Sequence, residues 1–130
     1  MDLQPQTPTR SSRHQAAEML PLDTGHLSRF TMGDRALERE VLGLFTGELP
    51  RRIAALRTAC TEKEWIMAAH TLKGSGRAVG AWRVALSAQH AENIGGVADR
   101  DACERVVRSI EEAAEEVVSH IRELYEPLTA

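Results

Sequence analysis

At 130 residues the chain has room for one domain with one core, able to bury about two-thirds of the surface its unfolded form exposes, and no room for a nucleotide-binding domain beside it. A net charge of −3 with both signs interspersed excludes the basic field that nucleic acid or an anionic membrane surface would select. No stretch approaches the roughly 20 apolar residues that span a bilayer, and the opening Met1-Asp2-Leu3-Gln4 lacks the regions of a signal peptide, so the chain reads as cytoplasmic.

Ala, Leu, Glu and Arg dominate and only five residues are aromatic, a mix that favours packed helices over sheets. Residues 1–20 carry Pro5, Thr7, Pro8, Thr9, Ser11 and Ser12 with little apolar periodicity, and nothing there offsets the entropy of ordering them. A flexible tail is predicted, turning helical near Ala16 to Leu20. Asp23 then caps a short helix holding Leu27 and Phe30, which Met32-Gly33 ends.

Asp34 caps a longer helix, on which Leu37, Val41, Leu44, Leu49, Ile53, Leu56 and Cys60 are expected to form the buried stripe. Pro50 lacks an N–H and predicts a kink or a split. Thr61 with Glu64 is a capping-box pattern, placing the next helix from about residue 62 to Val79, with Gly80 at the turn. The following helix, from Ala81 to about Ile94, has Ala81, Ala85, Ala88 and Ala91 to admit a neighbouring backbone, and Gly95-Gly96 stops it. Asp101 with Glu104 opens the last helix, which runs to about Tyr125 with Val107, Ile110, Ala114, Val117, Ile121 and Leu124 in near-heptad order. The predicted fold is all-α: an up-down antiparallel four-helix bundle with a short extra N-terminal helix over residues 21–126, and a C-terminal tail at 127–130. Cys60 and Cys103, far apart and without a CxxC or Cys/His cluster, predict no disulfide framework and no metal site, only reduced core thiols.

The helix beginning near residue 62 carries the chemistry. At about 100° per residue, Trp65, Ala68, Ala69, Leu72, Gly76 and Val79 share a core face. His70 lies opposite, in an exposed stripe with Ile66, Lys73, Gly74 and Arg77. Gly74 and Gly76 each cost a helix interior about 1 kcal/mol relative to alanine. Gly76 is explained by a close helix contact, whereas Gly74, one turn from His70, clears room for another protein to approach the imidazole. Histidine titrates near neutrality and offers a ring lone pair as a nucleophile. Phosphoryl transfer relies on in-line geometry and cancellation of negative charge, which Lys73 is placed to supply and Arg77 to extend. Ser75 reads as a backbone-bonding or packing residue, and Ile66 and Met67 as minor core or edge residues or, if exposed beside His70, docking contacts. His14, His26, His90 and His120 read as surface histidines, although His90 with Trp82 and Leu86 would make a second exposed patch or a homotypic contact. Glu111, Glu112, Glu115 and Glu116 read as a solvated face.

The run His70-Thr71-Leu72-Lys73-Gly74-Ser75-Gly76, followed by Gly80-Ala81 and ending near Glu92, resembles the signature of histidine-containing phosphotransfer (HPt) domains of bacterial phosphorelays. Leu22-Asp23, Gly33-Asp34, Leu37, Phe45, Pro50, Leu56 and Trp65 extend the likeness over roughly residues 21–125. Ala91 stands where the family usually has Leu before its closing glutamate, and Val84 where Leu is commoner. The resemblance implies a monomeric carrier without its own ATP site. In this reading His70 takes a phosphoryl group from a receiver-domain aspartate or a hybrid sensor histidine kinase and passes it to another response-regulator receiver. Lys73 becomes its electrostatic helper and Gly74 the residue that keeps the approach open, with Ile66, Met67 and Arg77 as partner contacts. It implies no cofactor of the chain's own, the Mg2+ being brought by the partner receiver. Two other readings compete. The phosphoacceptor part of a sensor kinase usually places an acidic residue where Thr71 stands, and an unphosphorylated helical adaptor would have no use for His70 and Lys73.

Overall fold

Short polar side chains open most of the helices, because the first backbone N–H groups of a helix have no partner within it. A computed structural model describes residues 20–95 and 97–125. The predicted helical turn near Ala16, the tail at 127–130 and the role of Gly96 in ending a helix lie outside the described residues. The elements are α1 (Thr24–Thr31), α2 (Arg35–Thr58), α3 (Glu62–Val79), α4 (Trp82–Ile94) and α5 (Arg100–Tyr125), with no strand among the described residues. Asp23 accepts from the His26 amide and Asp34 from that of Leu37. Thr61 accepts from the Glu64 amide, and the Glu64 carboxylate reaches back to the Cys60 amide. The last helix begins one residue earlier than Asp101: the cap is Asp99, which accepts from the Ala102 amide.

α3 packs on α4, α4 on α5, and α2 on both α3 and α5, while α1 lies against α2 and α3. The core runs through Leu42, Phe45, Leu49 and Leu56 of α2, Trp65, Ala69, Leu72 and Val79 of α3, the alanines of α4, and Val107, Ile110 and Val117 of α5. On α2 the buried stripe differs from the expected one. Leu44 is 65% exposed and Leu37 is exposed too, whereas Leu42 and Phe45 are buried. Apolar residues lie almost all the way round the first half of this helix, so periodicity alone does not choose a face and contact with α3 and α5 does. Pro50 does not split α2, which continues from Arg35 to Thr58 with the proline on its exposed side. Cys60 is exposed and Cys103 half-buried, so the expectation of two core thiols is corrected. Cys60 sits in the α2–α3 link, ahead of the Thr61 cap, where no helix covers it.

The turn between α3 and α4 is where α1 fastens. Gly80 has φ +82°, and a Cβ there would stand 2.8 Å from the Asp23 carbonyl oxygen. That conformation and that approach both require glycine. The Asp23 amide donates to the Gly80 carbonyl at 2.8 Å, and the Trp82 indole N–H donates to the Asp23 carboxylate at 2.9 Å. Burial pushes the Asp23 carboxyl up, but the Trp82 and His26 donors more than offset it and leave it lowered. His26 meets the Trp82 ring edge-on at 5.1 Å. Trp82 therefore belongs to a structural fastening and not to an exposed patch with His90 and Leu86, and His26 is not a partnerless surface histidine.

Candidate functional site

His70 stands in the middle of α3 with 71% of its side chain exposed. Its predicted surroundings divide into two groups. Ile66, Met67, Gly74 and Arg77 are exposed. Ile66 and Met67 line an apolar groove of about 630 Å³ together with Glu62, Lys63 and His70 itself. Ser75 donates to the Thr71 carbonyl, as a backbone-bonding residue should. Lys73 is the exception. Its side chain is only 10% exposed, so it is not part of the solvated stripe. A long side chain on the flank of a helix can lay its stem along a neighbour and carry the charge sideways, and Lys73 does so against α4.

The Lys73 ammonium donates to Glu92 at 2.8 Å and to the Gln89 side-chain oxygen at 3.1 Å. The second oxygen of Glu92 lies 2.8 Å from Nδ1 of His70. One carboxylate thus bridges the imidazole and the ammonium. The hydrogen bond from Lys73, joined by that of His70, outweighs burial and holds the Glu92 carboxyl below the usual glutamate range. An ionised carboxylate only accepts hydrogen bonds, so Nδ1 carries the proton in this contact. The neutral ring then has its lone pair on Nε2, which has no hydrogen-bond partner among the described residues.

Two contacts set α4 against α3 on either side of His70. The Trp65 indole donates to the Ala91 carbonyl at 2.7 Å, next to Glu92. Toward the other end, a Cβ at Gly76 would stand 3.0 Å from the Ala85 nitrogen and 3.1 Å from the Ala81 oxygen, so glycine allows the backbones to touch. Gly74 is the opposite case, since a Cβ there would meet nothing within 4 Å. Gly43 and Gly47 of α2 are equally open, so openness alone does not single Gly74 out; its place one turn from the imidazole does. Sequence reasoning missed the roles of Glu92 and Gln89. Glu92 entered only as the residue closing the resemblance, and its spacing of three from Gln89 on α4 was the available signal for a shared face.

Two consequences are measurable. Because the folded-state acidity of Glu92 is increased, its bridge stabilises the fold fully above the usual glutamate range, and that contribution is lost as pH falls through that range and below it. Thermal melts over this acid window should therefore decline more steeply for the wild type than for Glu92→Gln. Lys73→Ala should cost about 1.5–3 kcal/mol, the worth of hydrogen bonds to a charged group, checked by urea unfolding. It should also slow any transfer through His70 while leaving transfer detectable.

No group of three or more His, Cys, Asp or Glu side chains among the described residues could hold a metal ion, and no described helix is long and apolar enough to cross a membrane. Fold and site together define a class: an all-helical protein presenting the imidazole of His70 to solvent from mid-helix, braced from behind by a carboxylate. The Hpt domain family model matches residues 40–123, well over half of the chain, and the chain belongs to the Hpt domain family. That family places it in histidine phosphotransfer within phosphorelays, among carriers that meet response-regulator receiver domains. A comparison with curated proteins found no match, and neither did one with solved structures.

Proposed function

We propose that His70 is the phosphoacceptor, taking a phosphoryl group at Nε2 from a receiver-domain aspartate or a hybrid sensor histidine kinase and passing it to another receiver. The observation that carries this reading is the exposed ring whose Nδ1 is engaged by Glu92 while Nε2 is left for chemistry. In the accepting step the Nε2 lone pair forms the N–P bond, and the P–O bond of the aspartyl phosphate breaks with its electron pair going to the leaving carboxylate. Nδ1 keeps its proton. Positioning and charge cancellation supply most of the acceleration in such a step, and the Mg2+ that serves it would come with the receiver. Lys73 supports the charge from behind, through the carboxylate it shares with His70. Ile66 and Met67 offer an apolar seat for the partner on one side of the ring and Arg77 a cation on the other. A monomer without an ATP site, working in the cytoplasm where ATP-dependent kinases act, fits this role.

The test is to incubate the chain with a phosphorylated receiver and map any acid-labile, base-stable label by peptide. Label on the peptide holding His70 is expected, and label elsewhere overturns the assignment. Incubation with ATP alone should give none. Gly74→Leu checks the clearance argument separately. The variant should fold at least as well as the wild type, gaining up to about 1 kcal/mol of helix propensity, yet transfer several-fold more slowly; unchanged transfer would remove the role given to Gly74.

A further inference from the structure

We propose that the outward face of α2 is a self-association surface on which a second copy of this chain packs antiparallel. This does not depend on the role given to His70. α2 buries Leu42, Phe45, Leu49 and Leu56. On its opposite side Leu37, Glu40, Leu44, Gly47, Arg51 and Ala54 recur at alternating spacings of three and four, and all six are exposed. That is the spacing of a coiled-coil seam, sustained over about 25 Å of helix. Leu44 is 65% and Leu37 40% exposed, so neither is spent on the core.

The order of these residues says what the seam fits. Turned end for end, it meets itself with Leu44 of each copy opposite Gly47 of the other, Glu40 opposite Arg51, and Leu37 opposite Ala54. Every layer sets a large side chain against a small one or an acid against a base. Gly47 stands in mid-helix, where glycine costs about 1 kcal/mol relative to alanine, and a Cβ there would meet nothing within 4 Å. Nothing inside the chain requires that glycine, whereas Leu44 of a second copy needs the space it leaves.

The charges are available too. The Arg51 side chain is 76% exposed and reaches Glu48 only at 3.6 Å, because Glu48 is taken by Arg52 at 2.7 Å. Glu40 has no ion pair among the described residues. A parallel, in-register pair would set Glu40 against Glu40 and Arg51 against Arg51, and sliding the antiparallel pair by seven residues separates Glu40 from Arg51. Like or unpaired charges reject these alternatives, and a polar layer in a seam fixes its register at some cost in stability. Six side chains a side fall short of the roughly 20–30 that a standard stable interface engages. The pairing is therefore reversible, and the monomer is the dilute form. None of the six residues lines the groove beside His70.

Sedimentation equilibrium of the full chain reads the pairing directly, in reducing buffer so that the exposed Cys60 does not link copies. Between about 10 µM and about 1 mM, the range of a weak interface, the weight-average mass should rise from one chain toward two. One chain throughout overturns the proposal. Glu40→Arg and Arg51→Glu should each raise the dissociation constant about tenfold or more, by setting like charges opposite each other. The double variant should return close to the wild-type value, and that recovery separates lost pairing from lost folding. Gly47→Leu should weaken pairing by a similar factor without lowering the melting temperature. Association that these substitutions leave unchanged, or single variants that weaken it with no recovery in the double, overturns the antiparallel seam.

Discussion

His70→Gln should abolish labelling of this chain by a phosphorylated receiver while leaving the fold intact. Glutamine has no nitrogen lone pair of comparable nucleophilicity, because the amide lone pair is delocalised into the carbonyl. The loss should therefore be complete and not partial. The fold should survive because the ring is largely exposed and its hydrogen bond goes to Glu92, which keeps Lys73 and Gln89 as donors. An exposed substitution of this kind moves stability by about 0.5 kcal/mol or less. Circular dichroism and thermal melts check the fold, and label uptake checks the chemistry. A folded variant that still takes up label would place the acceptor on another side chain.

Trp65→Ala should have the largest effect on stability. Trp65 is 1% exposed in the core, and truncating a buried aromatic side chain to alanine costs about 3–5 kcal/mol. The Ala91 carbonyl also loses its 2.7 Å donor and keeps only the longer 3.4 Å bond from Gly95. For a domain of this size the melting temperature should fall by roughly 10–20 °C. Trp65→Phe retains most of the volume and loses the N–H, so it should fall between the two, nearer the wild type. A melting temperature for Trp65→Ala close to that of the wild type would refute this account of how α3 and α4 are joined. The same pair of variants bears on the site, since the Ala91 contact seats the turn of α4 that carries Glu92.

Much of this was readable from residue patterns because local signals agreed with one another. The Asp23, Asp34 and Thr61 caps, the Met32-Gly33 and Gly80 turns, and the alanine face of α4 each rest on a backbone requirement that few residues satisfy. The core face of α3 was legible for a related reason: apart from Ile66 and Met67, its large apolar residues occupy one side. On α2 they do not, and the choice between Leu44 and Leu42 was made by partner helices that periodicity does not see. Lys73 exposed a different limit. A helical wheel assigns a direction to a Cα–Cβ bond, but a lysine nitrogen lies several bonds further out, and where it comes to rest depends on what the next helix offers. The roles of Glu92 and Gln89 were missed for the same reason, the two being partners across a helix interface and 22 and 16 residues from His70 and Lys73 respectively.

The internal pairing of Lys73 has a consequence for signalling fidelity. An unpaired ammonium beside a nucleophilic ring would attract small anionic phosphate compounds. Here that cation is already neutralised by its own carboxylate, so Lys73 itself adds little attraction for small phosphodonors next to the imidazole. Selectivity for a protein donor over a metabolite would then begin with this quiet ground state, before any docking contact is made.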